Sequence, residues 1–173
     1  KKKLSIVGNR LEAGYKKLDD LIPAADKGIV VENLVKRVQA REKLPRQSIE
    51  NKLSKELKDI LATKTEVKPS DMWELAKSLD ETANTYARTT TALRGRASLL
   101  SSASTEIRED LANMATENGL SQLVSDSRLY HNLSIVSKAY AAKRAAQLTG
   151  TTSVGAPRSL AWRRSLEILD DIA

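Results

Sequence analysis

The sequence contains no cysteine, which excludes disulfides, thiolate metal sites and thiol nucleophiles. Phenylalanine is missing too, and aromatic residues make up only 3% of the chain. A hydrophobic core must therefore come from leucine, isoleucine, valine and alanine, the side chains of helix packing. Seven glycines and four prolines are too few for many short strands and tight turns. No run of eighteen apolar residues occurs, so no segment reads as a membrane-spanning helix. "KKKLSIVGNRLEAG" begins like a signal peptide, but its apolar stretch stops at Val7, which is too short for one. A cytoplasmic or virion-internal setting is expected over a small secreted scaffold. The chain starts without methionine and ends on the amphipathic "LEILDDIA", as an excised part of a longer protein would.

What is present is globular in composition. Among 173 residues, 40% are apolar and 29% charged, enough for one domain with a packed core. The net charge of +7 is unevenly spread. Ser127 to Leu166 holds seven basic residues and no acid, and Thr82 to Thr105 holds three arginines and no acid. Between them, Glu106 to Asp126 sets five acids against Arg108 alone.

Apolar spacing then divides the chain. Leu4, Val7, Leu11, Tyr15, Leu18 and Ile22 recur at steps of three and four, one face of a helix over about 4–22. Pro23 ends it. Further stripes predict helices over 28–44 and 48–62, with Pro45 between them; either one helix kinks at Leu44 or two helices meet. Thr63 to Asp71 reads as a loop, and Asp71 with Glu74 resembles a capping box.

Beyond that loop a heptad pattern emerges. Sevens counted from Met72 give Leu79, Tyr86, Leu93, Leu100, Ile107 and Met114. Sevens counted from Ala76 give Ala83, Thr90, Ala97, Ser104 and Leu111. The two sets interleave with large residues at d and mostly small ones at a. The expectation is one helix over about 71–118, its seam roughly 65 Å long, with bending near Thr89 to Arg96 and an αL stop at Asn118-Gly119. A second long helix, about 120–149, carries Leu129, Leu133, Val136 and Tyr140. Residues 150–158 form a Gly/Pro-bearing linker, and 159–173 a short amphipathic helix. The fold class is thus all-α: an elongated antiparallel, coiled-coil-like bundle forming one domain over 1–149.

Catalytic chemistry finds little footing. His131 is the only histidine and lies beside the apolar stripe, as a partly exposed helical residue would. No nucleophile elbow or Walker-type loop occurs. Asp19-Asp20 and Asp170-Asp171 are sequence neighbours, which diverge by about 100° on a helix and do not converge on a metal. No cofactor, metal or small-molecule substrate is expected, and the chain is read as a non-enzyme.

The arginines carry more information. In the heptad frame Arg94 and Arg108 fall at e, Arg96 at g and Arg88 at f, so they either pair with acids of a neighbouring helix or form an anionic-partner surface. Lys143, Arg144, Arg158, Arg163 and Arg164 form a second basic zone. The leading expectation is a structural, assembly or partner-binding module, self-associating because a 65 Å seam outruns the helix that follows it. The assembly seam would comprise Met72, Ala76, Leu79, Ala83, Tyr86, Leu93, Ala97, Leu100, Ile107 and Met114. The alternative is an anionic-surface binder, either a membrane-associated bundle in the general style of BAR domains or a nucleic-acid backbone binder.

Overall fold

Proline and short capping side chains punctuate the first half of the chain into separate helices. The computed structural model describes residues 2–89 and 91–148, with all their side chains except those of 2, 54, 55, 58–60, 88, 89, 91–94 and 142–148. The elements run α1 (Lys2–Leu21), β1 (Ala25–Asp26), α2 (Lys27–Glu42), α3 (Arg46–Leu61), β2 (Glu66–Val67), α4 (Pro69–Thr89), α5 (Thr91–Glu117) and α6 (Ser121–Leu148). The fold is all-α. Among the described residues its β component is one antiparallel pair in which Ala25 meets Val67 and Asp26 meets Glu66. Two residues per strand are too short to show period-2 alternation, so no sequence pattern announces them.

Local chemistry explains the helix ends. The Asp26 carboxylate caps α2 by accepting from the amides of Gly28 at 2.8 Å and Ile29 at 3.2 Å, satisfying two of the orphan donors of the first turn. Lys43 closes α2 in the left-handed conformation, φ 53°. Pro45 stands at the N-cap of α3, and its ring pushes the residue before it out of helical geometry. Of the two readings of Pro45, two helices is the one found. Asp71 sits inside the first turn of α4 and accepts from the Lys68 amide and the Lys64 ammonium. Burial pushes its carboxyl up, but those two donors outweigh burial and hold it below the ordinary range. Gly119 ends α5 with φ 74°, the αL stop its sequence context calls for.

The stripe from Met72 to Met114 belongs to two helices, correcting the expectation of one rod over 71–118. The Ser104 hydroxyl donates to the Ala76 carbonyl at 2.9 Å, and the Arg108 guanidinium to Asp80. Along a straight helix, 28 residues span about 42 Å. α4 and α5 therefore lie side by side, and because α4 runs to Thr89 and α5 starts at Thr91 they can do so only antiparallel, with each arm of the stripe facing the other. The sequence around this reversal is "RTTTALRG". Three consecutive β-branched threonines lose side-chain freedom in a helix, and Gly95 follows.

The described chain divides into two compact units. The larger comprises Ala13–Val124. Its core draws Leu18 from α1, Val38 from α2, Ile49 and Leu53 from α3, Leu75 and Leu79 from α4, and Leu99, Leu100, Ile107 and Leu111 from α5, all nearly inaccessible. Tyr15 and Trp73 stack with ring centroids 5.2 Å apart, and Asp19 accepts from the Ser70 amide at 2.9 Å, so α1 is fixed to the start of α4. A Cβ at Gly14 would meet Leu123 Cδ1 at 2.6 Å, whereas one at Gly95 would meet nothing within 4 Å. Gly14→Val is expected to destabilise by about 1–3 kcal/mol through overpacking. Gly95→Ala is expected to stabilise by up to about 1 kcal/mol through helix propensity. Urea denaturation of the two variants checks this opposition of sign.

The smaller unit pairs the start of α1 with α6 from Ser125 onward. Val7 and Leu11 are buried there. Arg10 reaches Asp126 at 2.7 Å, and the absence of a Gly8 side chain admits the Tyr130 ring, 3.3 Å from where a Cβ would stand.

Candidate partner-binding surfaces

Long basic side chains bordering a helix seam can turn inward to acids or outward to partners. Arg96 turns inward. Its guanidinium lies 2.8 Å from Glu56 Oε1 on α3 and 5.5 Å from the centre of the Tyr86 ring, and the Tyr86 hydroxyl donates to the same carboxylate at 3.3 Å. Arg108 pairs with Asp80, each side chain only 18% exposed. Both arginines keep a buried Nε without a hydrogen-bond partner among the described residues. Their role is to tie α5 to α3 and α4.

A second set of charges joins α2 to α5. Arg41 reaches Glu106 at 2.5 Å and Glu109 at 2.8 Å, and Arg37 pairs with Asp110. The Glu109 and Glu106 carboxylates push the Arg41 guanidinium above its ordinary value. Sequence reading treated these acids only as a zone between basic stretches. A usable signal lay in the matched i, i+4 spacings of Arg37/Arg41 and Glu106/Asp110, which present two complementary charge pairs one helical turn apart.

The seam residues divide by depth. Met72, Ala76, Leu79, Ala83, Ala97, Leu100 and Ile107 are buried, while Tyr86 and Met114 are half-buried. Arg88 lies on α4, Leu93 and Arg94 on α5, and Lys143 and Arg144 on α6. Arg158, Arg163 and Arg164, with the linker and the short helix over 159–173, lie outside the described residues. His131 is half-buried on α6. Among the described residues, no three His, Asp or Glu side chains gather as a metal site needs.

Among the described residues, two surfaces are candidates for meeting a partner. On α6 no described residue after Asp126 is buried, and Leu129 and Tyr140 are 43% and 45% exposed. Leu129, Val136 and Tyr140 lie at steps of seven and four, on one face. The stretch from Ser127 to the end of α6 carries four basic residues and no acid. The other surface is a groove of ≈ 360 Å³ between α2 and α3, inside the larger unit. Val31, Val35, Leu53, Leu57 and Leu61 line it, with Lys27 at one end and Glu32, Arg46 and Glu50 at the other.

No protein-family model matches the chain, and no curated protein or solved structure matches it significantly. Among the described residues no helix is long and apolar enough to cross a membrane.

Proposed function

We propose that the chain is a non-enzymatic assembly module that self-associates through α6. The observation that carries this reading is the apolar stripe of exposed Leu129 and Tyr140 with half-buried Val136 between them, along a helix with no described residue buried after Asp126. Contiguous exposed apolar surface on a folded domain marks an interaction site more often than a random scatter does. The heptad seam that first suggested association is occupied within the chain by the α4–α5 hairpin, so α6 takes over that role.

The basic run on α6 supports a second reading, an anionic surface as partner. The two readings have opposite salt dependence. Copies joined by an apolar face must bring like charges together, so their association strengthens as salt screens the repulsion. Binding to phosphates weakens as salt rises. Light scattering is expected to give a mass that grows with protein concentration and grows further at high salt. Leu129→Gln with Tyr140→Gln is expected to return the mass to one chain while helical circular dichroism is unchanged. A single-chain mass at every concentration and salt would overturn self-association. Salt-sensitive sedimentation with phosphatidylserine vesicles, or salt-sensitive binding to duplex, would then favour the second reading and identify which anion is met.

A further inference from the structure

Net charge is segregated between the two units. Residues 1–12 and 125–148 carry eight basic residues against Glu12 and Asp126, a net of +6. Residues 13–124 carry eighteen basic residues against seventeen acids, a net of +1. The long-range field of the protein therefore belongs almost wholly to the smaller unit. Ion pairing there cancels little of it. Arg10 meets Asp126 at 2.7 Å, and from Ser127 to the end of α6 there is no acid.

The basic residues of α6 have a face of their own. Arg128, His131, Ile135 and Lys138 recur at steps of three, four and three, so they share one side of the helix. α1 meets α6 at Asp126 and Tyr130. Ile135 lies nine residues past Asp126, about two and a half turns on, so this side looks away from α1. It is also distinct from the apolar stripe, since six residues from Leu129 to Ile135 turn the helix to about 120° away. Ile135 is 54% exposed, Arg128 is exposed and Lys138 half-buried. Neither cation meets a carboxylate among the described residues.

An aliphatic side chain set among cations discriminates between anionic partners. A nucleic-acid backbone is met by cations and polar donors and would leave Ile135 in water. The surface of an anionic bilayer takes both kinds of group, with cations at the headgroups and the apolar side chain at the headgroup–acyl boundary. We propose that the smaller unit docks on an anionic lipid bilayer through this face, Ile135 entering that boundary and Arg128 and Lys138 meeting the charged headgroups on either side of it. This narrows the anionic-surface reading to a lipid. It uses a face other than the stripe that pairs copies, so it holds or fails separately from self-association. Each basic residue close to such a surface contributes about fivefold in affinity, which the +6 of the smaller unit multiplies and the +1 of the larger unit does not.

Sedimentation of the intact chain with vesicles of phosphatidylserine in phosphatidylcholine, at about 0.1 M salt, tests this. The wild type is expected to sediment with these vesicles, to sediment less as salt rises, and to ignore phosphatidylcholine alone. Arg128→Gln with Lys138→Gln is expected to weaken binding roughly thirtyfold. Lys43→Gln with Lys52→Gln, the same charge change on the larger unit, is expected to alter it by less than about threefold. Ile135→Gln is expected to weaken vesicle binding by about tenfold with helical circular dichroism unchanged. Leu129→Gln with Tyr140→Gln, which separates copies, is expected to leave vesicle binding in place. No sedimentation with phosphatidylserine vesicles, or equal sedimentation with phosphatidylcholine alone, would overturn the proposal, and binding to duplex in place of vesicles would overturn it in favour of nucleic acid. Equal losses from the two lysine and arginine pairs, or loss of vesicle binding in the Leu129 and Tyr140 variant, would overturn the assignment to this face. If Ile135→Gln loses helicity, the comparison of the two charge pairs still decides.

Discussion

Arg96→Ala is expected to destabilise the larger unit by roughly 3–5 kcal/mol, among the largest effects of any single substitution at a charged residue here. The reason is the carboxylate left behind. Glu56 is only 7% exposed along its side chain, and Arg96 contacts both of its oxygens, at 2.8 and 3.0 Å. Without the guanidinium, Glu56 retains the Tyr86 hydroxyl at 3.3 Å as its partner among the described groups. A buried ion stripped of its counter-ion loses far more than the pair contributed in the first place. Replacing both charges together, Arg96→Met with Glu56→Leu, is expected to recover most of the loss, because an apolar pair needs no compensation. The exposed pair Arg46 and Glu50, at 48% and 43%, provides the contrast. Breaking that pair by Glu50→Ala is expected to cost about 0–1 kcal/mol. Urea denaturation followed by circular dichroism measures all three variants against the wild type; an Arg96→Ala loss no greater than that of Glu50→Ala would show that the pair is effectively solvated.

Leu79→Ala and Leu100→Ala are each expected to cost about 2–5 kcal/mol, the range for emptying a fully buried leucine site. Both are at 0% exposure. Their combination is more informative than either. Ser104 bonds the carbonyl of Ala76 across an antiparallel pair, so stepping back from 104 to 100 corresponds to stepping forward from 76 to about 80. The two leucines therefore occupy the same level of the hairpin, and their losses are expected to be non-additive by about 0.5–3 kcal/mol. On one straight helix they would stand about 31 Å apart, where losses add to within about half a kcal/mol. Strict additivity in a double-mutant cycle would sink the hairpin arrangement.

The difference between rod and hairpin explains how far the sequence could be followed. Pro23, Pro45 and Gly119 act through their own backbone geometry, so the breaks near them were legible from single residues. The seam from Met72 to Met114 was legible as a face to be buried, because burial of every third or fourth residue requires only a helix and a neighbour. It carried no information on which neighbour. A stripe in constant phase is satisfied equally by a second chain and by its own other half. The local hint, three threonines ahead of Gly95, weakens a helix without specifying a reversal. Arg96 was ambiguous for the same reason: its position beside the seam was fixed by spacing, but Glu56 lies forty residues away and becomes a neighbour only once α3 docks. The groove between α2 and α3 left no sequence trace, since Leu53, Leu57 and Leu61 look like ordinary core residues. Void space depends on how two helices splay, which single-sequence periodicity does not record.

The small β1–β2 pairing has a bearing on the order in which the molecule assembles. It joins Ala25 to Val67 and Asp26 to Glu66, so everything from Lys27 to Thr65 leaves and returns at one point. Closing a loop of about forty residues costs roughly 3 kcal/mol of chain entropy before the constant term is added, more than a two-residue ladder supplies at about 1 kcal/mol per hydrogen bond. The ladder cannot nucleate the loop. The α4–α5 hairpin, made from contacts between adjacent helices, is the early event favoured by short sequence separation. Docking of α2 and α3 onto α5 is expected to follow, with the strand pair closing last; pulsed hydrogen exchange showing the ladder amides protected before those of α4 and α5 would contradict that order.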